Sequence, residues 1–304
     1  MKYLSHTKKV LQSQQSVIVI GNFDGVHIGH QKLFEVAKQI KERLQIIALS
    51  FYPHPSWILS NAPKEIITPT TTKITLMQNL GIDIFVDYPF NLDIANMSAQ
   101  EFFDEILVKN LGAKKIVVGT DYHFGKKRQA NVDDLQKLCD SNDIELHVVK
   151  KVLVDDREVS STSIREFLSK GNIEKVNELL GYNYIISGKV VKGRQIGRQI
   201  GFPTANVFAK EGVIYPPNGV YATKIKVYNE EFLAITNIGY NPTLKGEIKT
   251  IETNIFEFNR DIYDEEVDIF FYKYIRSEKK FENIQKLTAQ ILSDTQKVKN
   301  LFTL

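Results

Sequence analysis

The sequence predicts an α/β domain built on a parallel sheet, followed by a small antiparallel β-barrel with a terminal helix. Three observations carry this expectation. Over the first 180 residues short apolar runs alternate with amphipathic stretches, as in a sheet covered by helices on both faces. From about Tyr184 the alternation stops, and β-branched and aromatic runs punctuated by Gly, Pro and Asn take over. A length of 304 residues, at roughly 150 per domain, gives each half a core of its own.

Taken in order, Val17–Ile20 reads as a buried strand. After it Leu33, Val36, Ala37, Ile40 and Leu44 recur at the three-and-four spacing of one helical face. Further strand-like runs lie at Gln45–Phe51, Ile82–Val86, Lys115–Gly119 and Ile144–Val149, with helical segments near 72–80, 98–110 and 132–141. Two short helices, Thr162–Lys170 and Ile173–Leu180, are stopped by Gly171 and Gly181. Barrel strands are expected at 184–192, 219–228, 231–238, 248–258 and 266–275. Ile284, Leu287, Ile291, Leu292, Val298 and Leu301 then form one apolar helical face to lie on the barrel. The spacing divides the chain into domains at 1–184 and 185–304.

Composition excludes several classes of function. Hydrophobic residues at 43% and charged residues at 25% are ordinary globular usage, so disorder is not the main state. The 39 Lys and Arg against 36 Asp and Glu leave a net charge of +3, without the dense basic stripe of a nucleic-acid binder. No apolar run approaches the ~18 residues of a membrane span. The lone cysteine, Cys139, cannot close an intramolecular disulfide, and Met1–Gln15 lacks an apolar run of signal-peptide length. These features lead us to expect a reducing, cytoplasmic setting.

The first chemical constellation is Gly21–His30, placed between a strand and a helix, where ligands bind beyond the carboxyl ends of parallel strands. Gly21, Gly25 and Gly29 permit positive φ and close backbone approach, and the helix opening near Gly29 offers N–H groups to an anion. A helix end supplies only about 0.3–1 kcal/mol per charge, against the roughly 8 or more that catalysis needs. His27 and His30 therefore matter more, since one well-placed donor to developing charge is worth ~3 kcal/mol. Two other pieces also follow strand-like runs: Ser160–Arg165, and Gly119–Gly125 with the basic Lys126, Lys127 and Arg128. His54 lies between two prolines and is presented by them. Read singly, the histidines serve equally well as helix caps and the basic triplet as a solvated turn.

The second constellation runs from Gly188 to Asn206, a glycine-rich loop ending in Pro203–Asn206. The Thr204 hydroxyl and the Asn206 carbonyl lie two residues apart, so in an extended segment they face the same way. Two neutral oxygens hold Mg²⁺ weakly, and nucleotide phosphates with water would complete its octahedron. In Thr250–Phe258, Glu252 is expected to share its strand face with Phe256 and Phe258, a setting that suits a general base acting on a hydroxyl. Taken singly, Pro203–Asn206 reads as a turn and Glu252 as a wet strand end.

In order, GNFDGVHIGH at 21–30, FYPHP at 51–55, VVGTDYHFG at 117–125 and SSTSIR at 160–165 resemble the nucleotidyltransferase half of the bacterial bifunctional riboflavin kinase/FAD synthetase family. GRQIGFPTAN at 197–206, PPNGVYA at 216–222, NIGYNPT at 237–243, IETNIFEF at 251–258 and YIRSEKKF at 274–281 are similar, in order, to its riboflavin kinase half. The resemblance implies a Rossmann-like sheet in the first domain. It also implies ATP bound there by Gly21, Asn22, Phe23, Asp24, Gly25, His27, Gly29 and His30, with Ser161, Thr162 and Arg165 closing over the triphosphate. His54, Pro55, Asp121 and Phe124 would line the flavin side. In the second domain it implies ATP on Gly193, Gly197, Arg198, Gly201, Thr204 and Asn206, with Mg²⁺ at Thr204 and Asn206. Glu252 would activate the ribityl hydroxyl, and Arg276 and Phe281 would meet the flavin. Ala130 stands where the family usually carries glycine, Ser277 replaces an acidic residue common after the arginine, and Tyr182–Asn183 replaces a more basic lead-in.

His27–His30 also spells the signature of class I aminoacyl-tRNA synthetases. The chain has no Lys-Met-Ser-Lys-Ser segment, no anticodon-binding extension and no marked basic excess, which counts against that reading. A binding module with dead sites is opposed by Glu252, His27 and His30, all present. The expectation is a bifunctional transferase that makes FMN from riboflavin and ATP, then FAD from FMN and ATP. The alternative keeps only one of the two activities. The expected partners are riboflavin, FMN and ATP, with no nucleic acid and no membrane, and the expected state is a monomer or weak homo-oligomer.

Overall fold

A computed structural model of the chain describes residues 1–5, 7, 14–60, 65–193, 197, 201–243 and 246–303. Packing divides the chain into two compact units, Met1–Ser161 and Thr162–Leu304. The first unit is a six-stranded, wholly parallel sheet in the order β1-β4-β3-β2-β5-β6. Its strands are β1 Lys2–Ser5, β2 Ser16–Ile20, β3 Gln45–Tyr52, β4 Ile84–Pro89, β5 Ala113–Gly119 and β6 Glu145–Val149. Every residue of β2 is buried, because helices cover both faces of the sheet. Val17 and Val19 pack with Leu33, Phe34 and Ala37 of α1 (Ile28–Ile40), while Ile18 and Ile20 face the opposite cluster with Phe103 and Ile106. The chain steps from β2 to β3 and β4 on one side and returns to β5 and β6 on the other. The crevice at this reversal is where the Gly21–His30 loop emerges.

The helices α3 (Thr70–Asn79) and α6 (Val132–Asp140) match the expected segments to within about two residues. The segment expected as one helix over 98–110 opens with α5 (Ala99–Glu101), capped by a Ser98–Glu101 box, and continues π-helical over Phe102–Asn110. The expected segments do not include β1, α2 (Pro55–Leu59), α4 (Leu92–Asn96), the 3-10 turn Lys126–Arg128, the hairpin β7 (Leu153–Val154) with β8 (Arg157–Glu158), or the barrel strand Thr204–Phe208. Each is short or lies at an edge, with too few apolar positions to show a period.

The second unit begins with α7 (Ser161–Ser169) and α8 (Ile173–Leu180), the latter closed by Gly181 in the left-handed region at φ 75°. A six-stranded antiparallel sheet follows, in the order β10-β13-β12-β11-β14-β9. These strands are β9 Tyr184–Lys189, β10 Thr204–Phe208, β11 Gly219–Val227, β12 Glu230–Thr243, β13 Gly246–Ile255 and β14 Glu266–Arg276. A bridge from Val191 to Asn206 brings the two edge strands almost together, so the sheet is a nearly closed barrel. Its interior carries a hydroxyl ladder, Thr223 to Thr236 at 2.8 Å and Thr236 to Thr253 at 2.9 Å, all three residues 0% exposed. The terminal helix, Ile284–Phe302, sets Val298 against Val220, Ala222 and Phe256. The helix pair packs with the barrel because the Asn177 side chain accepts from Tyr184 N–H and donates to the Phe271 carbonyl, both at 2.8 Å. Among the described residues no helix is long and apolar enough to cross a membrane.

Candidate functional site

In the first unit the loop leaving β2 is shaped less by its glycines than the sequence suggests. Gly25 takes positive φ (85°), but so do Phe23 (50°) and Val26 (38°), while Gly21 and Gly29 do not. Gly21 is small for another reason: a Cβ there would lie 2.9 Å from the Phe23 ring. At Gly29 it would press the His27 ring at 3.1 Å. Phe23, 0% exposed, packs on Phe34 and meets His30 edge-on, so core burial holds the strained backbone in place.

His27 is the N-cap of α1, and its Nδ1 accepts from His30 N–H at 3.4 Å, which puts the ring proton on Nε2. The capping role and a donor role toward an anion are thus compatible. The two rings stack with centroids 3.7 Å apart, and His30 Nδ1 is buried without a partner. Burial pushes His27 down to about 4 and His30 well below its ordinary value, so both imidazoles are neutral at pH 7. Asn22, exposed beside them, offers its carbonyl to Ser50 Oγ at 3.2 Å.

Asp24 spends its carboxylate on structure: Oδ1 accepts from Ile67 N–H (2.9 Å) and Thr68 N–H (3.1 Å). Its carbonyl accepts from Ser161 Oγ at 2.8 Å, which ties Ser161 to the loop. Thr162, exposed, and Arg165, half-buried, lie on α7 in the second unit. One residue at the first site was missed by the sequence reading. Lys73 of α3 donates from Nζ to the Asn22 carbonyl at 3.1 Å. It lies 51 residues from that partner, in a threonine-rich stretch with no motif to flag it.

The residues expected on the flavin side hold their own surroundings together. His54 caps α2, its Nδ1 accepting from Ser56 N–H at 3.2 Å, with Pro55 as the first helical residue. Asp121 is exposed and pairs with Lys151 at 3.4 Å. Phe124 is 6% exposed and stacks on Tyr122.

In the second unit strand register builds the site. Thr204 pairs with Asn254, and Asn206 with Glu252 across β10 and β13; Asn237 of β12 lies on the other side of Glu252. Directly opposed residues share a face, so Thr204, Asn206, Glu252, Asn254 and Asn237 all present to the same side. Of the glycines before β10, Gly193 lies against this face, where a Cβ would fall 2.7 Å from Asn206 Nδ2, and a Cβ on Gly197 would strike the Phe202 carbonyl. Gly201 needs its φ of 84°. Arg198 lies outside the described residues. The expectation that Glu252 shares a face with Phe256 holds, and for Phe258 it is corrected. Phe256 N–H bonds the Leu233 carbonyl and its ring packs with Val220, Ala222 and Ile235, the last directly opposite Asn254. Glu257 then turns left-handed (φ 56°), and Phe258 packs on Phe232 of the other strand face.

A cavity of about 460 Å³ opens beside this face, lined by Gly201, Phe202, Pro203, Asn254 and Thr295 among others. The Thr295 hydroxyl is buried without a partner. Arg276 donates from Nε to Asp294 at 2.7 Å and from Nη1 to the Ser277 carbonyl, clamping β14 to the terminal helix. Phe281 is half-buried between them in sequence. Glu278, which the sequence reading passed over, accepts from Asn237 Nδ2 at 3.3 Å. Among the described residues no cluster of His, Cys, Asp and Glu could cage a metal. The hard neutral oxygens of Thr204 and Asn206 fit a divalent cation that arrives on phosphates.

The family described as FAD synthetase matches residues 9–163, and the family described as riboflavin kinase matches residues 180–302. The bifunctional riboflavin kinase/FMN adenylyltransferase of Bacillus subtilis is 38% identical over 310 residues, covering 99% of this chain and 98% of the relative. This chain belongs to the bifunctional riboflavin kinase/FMN adenylyltransferase family. The family's Listeria monocytogenes representative is 40% identical over 291 residues, 94% of this chain and 92% of its own. A solved structure described as a macrolide-efflux protein from Streptococcus pneumoniae is 32% identical, with a TM-score of 0.90 and 99% of each chain covered. Ala130 forms a two-way backbone bridge with Phe124 and is itself 4% exposed in the core.

Proposed function

We propose that the second unit's barrel transfers the γ-phosphoryl group of ATP to the ribityl 5′-hydroxyl of riboflavin, and that the first unit's sheet joins the resulting FMN to the AMP of a second ATP. In terms of chemistry the division is residues 185–304 for the first step and 1–184 for the second. One contrast carries the reading: Glu252 stands beside neutral oxygens, with Gly193 packed on Asn206, whereas the β2 loop presents neutral imidazole donors. A hydroxyl nucleophile needs a base; a phosphate nucleophile, already anionic, needs repulsion relieved.

In the first step Glu252 takes the hydroxyl proton as the oxygen attacks the γ-phosphorus and the bond to ADP breaks. Gly193, Gly197, Arg198 and Gly201 hold the phosphates, and phosphoryl transfer needs mainly this positioning. Thr204 and Asn206 would hold Mg²⁺ with the phosphates, and the ion would supply charge neutralisation. The cavity lined by Phe202 and Thr295 takes the nucleotide base. Arg276, fixed by Asp294, and Phe281 position the flavin. In the second step an FMN phosphate oxygen attacks the α-phosphorus of ATP and pyrophosphate leaves. His27 and His30 donate to the phosphates, and Asn22 with the Gly21–Gly29 backbone shapes their cradle. Phe23 and Asp24 contribute through backbone alone, since their side chains are spent internally. Ser161, Thr162 and Arg165 complete the triphosphate site, and His54, Pro55, Asp121 and Phe124 lie on the flavin side. The setting is cytoplasmic, and the chain acts as a monomer or weak homo-oligomer.

The test separates the two steps in one chain. Glu252→Gln should abolish FMN formation and leave FAD formation from supplied FMN intact; His30→Ala should do the reverse. Products are resolved by chromatography, and equal loss of both steps in both variants rejects the assignment.

A further inference from the structure

We infer that Lys73 is a phosphate-binding catalytic residue of the first unit, its ammonium meeting the polyphosphate of ATP and of departing pyrophosphate. This rests on the adenylyltransferase reading of that site and adds a cation from α3 to the Arg165 already proposed for it. His27 and His30 are held neutral by burial, so they bring donors but no charge to a polyanion. Lys73 Nζ sits on the Asn22 carbonyl, in the same loop as both histidines. A carbonyl takes one N–H, and an ammonium has further donors to offer.

The position of Lys73 is built. The buried Asp24 carboxylate, 3% exposed, fixes the backbone at Ile67 and Thr68, directly before α3 begins. Lys73 follows one turn in, its N–H on the Pro69 carbonyl at 2.9 Å. Partial burial lowers the Lys73 pKa while Asp87 and Asp24 raise it, and the ammonium's field reaches the His30 ring. A half-buried cation held near two carboxylates but bonded to a neutral carbonyl is poised for an anion that arrives and leaves. During transfer Lys73 keeps its proton: the bond from the α-phosphorus to the bridging oxygen breaks, pyrophosphate carries away the electron pair, and the ammonium stabilises that charge by hydrogen bonding.

Binding of pyrophosphate to the full chain, measured by calorimetry, tests this without any flavin. Lys73→Gln keeps a donor for the Asn22 carbonyl and removes the charge. We expect it to weaken pyrophosphate binding by about 10- to 100-fold, the range for a charge-assisted hydrogen bond. Riboflavin phosphorylation and the thermal midpoint should stay near wild type. Unchanged pyrophosphate affinity overturns the assignment and leaves Lys73 a structural tie. A second measurement needs no variant. Pyrophosphate should protect Lys73 in the wild-type chain from an amine-acetylating reagent, read by mass spectrometry of its peptide; equal labelling with and without pyrophosphate overturns the assignment. A wild-type chain that makes no FAD from FMN yet shows this protection refutes the adenylyltransferase reading and supports the lysine site.

Discussion

The stacked imidazoles of His27 and His30 sit where charge on either ring is disfavoured, and this has a consequence for stability as well as binding. Their folded-state values lie below the ordinary 6.5, so on acidification the unfolded chain takes up protons first. Their contribution is complete above about pH 6.5 and is lost as pH falls toward the His27 value of about 4. For His27 the linkage amounts to about 3 kcal/mol. Urea unfolding at pH 7.5 and pH 5 should therefore show a loss in wild type that His27→Gln reduces; an equal loss in both places the titration elsewhere. The histidines themselves were legible, because they sit in a glycine loop between a strand and a helix. Lys73 was not: its site is assembled by the Asp24 bonds to a distant segment, a link between side chain and backbone that leaves no periodic trace.

Among the elements, strands with a full run of apolar positions are legible within a residue or two, as with β2 and β3, whereas α1 ends at Ile40, short of the Leu44 expected on its face. Where pattern and geometry decouple, the reading failed. Phe102, Phe103, Ile106, Leu107 and Leu111 recur at a spacing that suits an α or a π helix equally, and the chain takes the π form. Glu252 was placed correctly on a strand, but the left-handed turn at Glu257 that frees it from Phe258 has no glycine to announce it. The segment from Phe124 to Ala130 supplies a test of element stability. The buried methyl of Ala130 closes a two-residue bridge, so Ala130→Gly should destabilise the first unit by about 1 kcal/mol through lost burial and added backbone entropy. Chemical denaturation should show it; an unchanged midpoint would mean that the loop relaxes at no cost.

Across the whole molecule, two units with unlike topologies carry the two proposed steps, and the intermediate is a small molecule. Glu252→Gln and His30→Ala chains, each unable to convert riboflavin to FAD, should do so when mixed, with free FMN appearing in solution. Chromatography over time checks this, and a mixture that makes FMN but no FAD would mean that the intermediate is not accepted from outside. The change of architecture near Tyr184 was visible as the loss of alternation. The allegiance of the α7–α8 pair was not, because it depends on Asn177 reaching β9 and β14. The Arg276–Asp294 clamp has a bearing on how the protein is made. Asp294, 1% exposed, holds Arg276, the arginine we propose for the flavin side of the kinase step, from the terminal helix, so that arrangement is completed only once the ribosome has passed it. The parallel sheet, emerging first, can fold while synthesis continues. The order in which the two units leave the ribosome therefore runs opposite to the order of the two proposed steps.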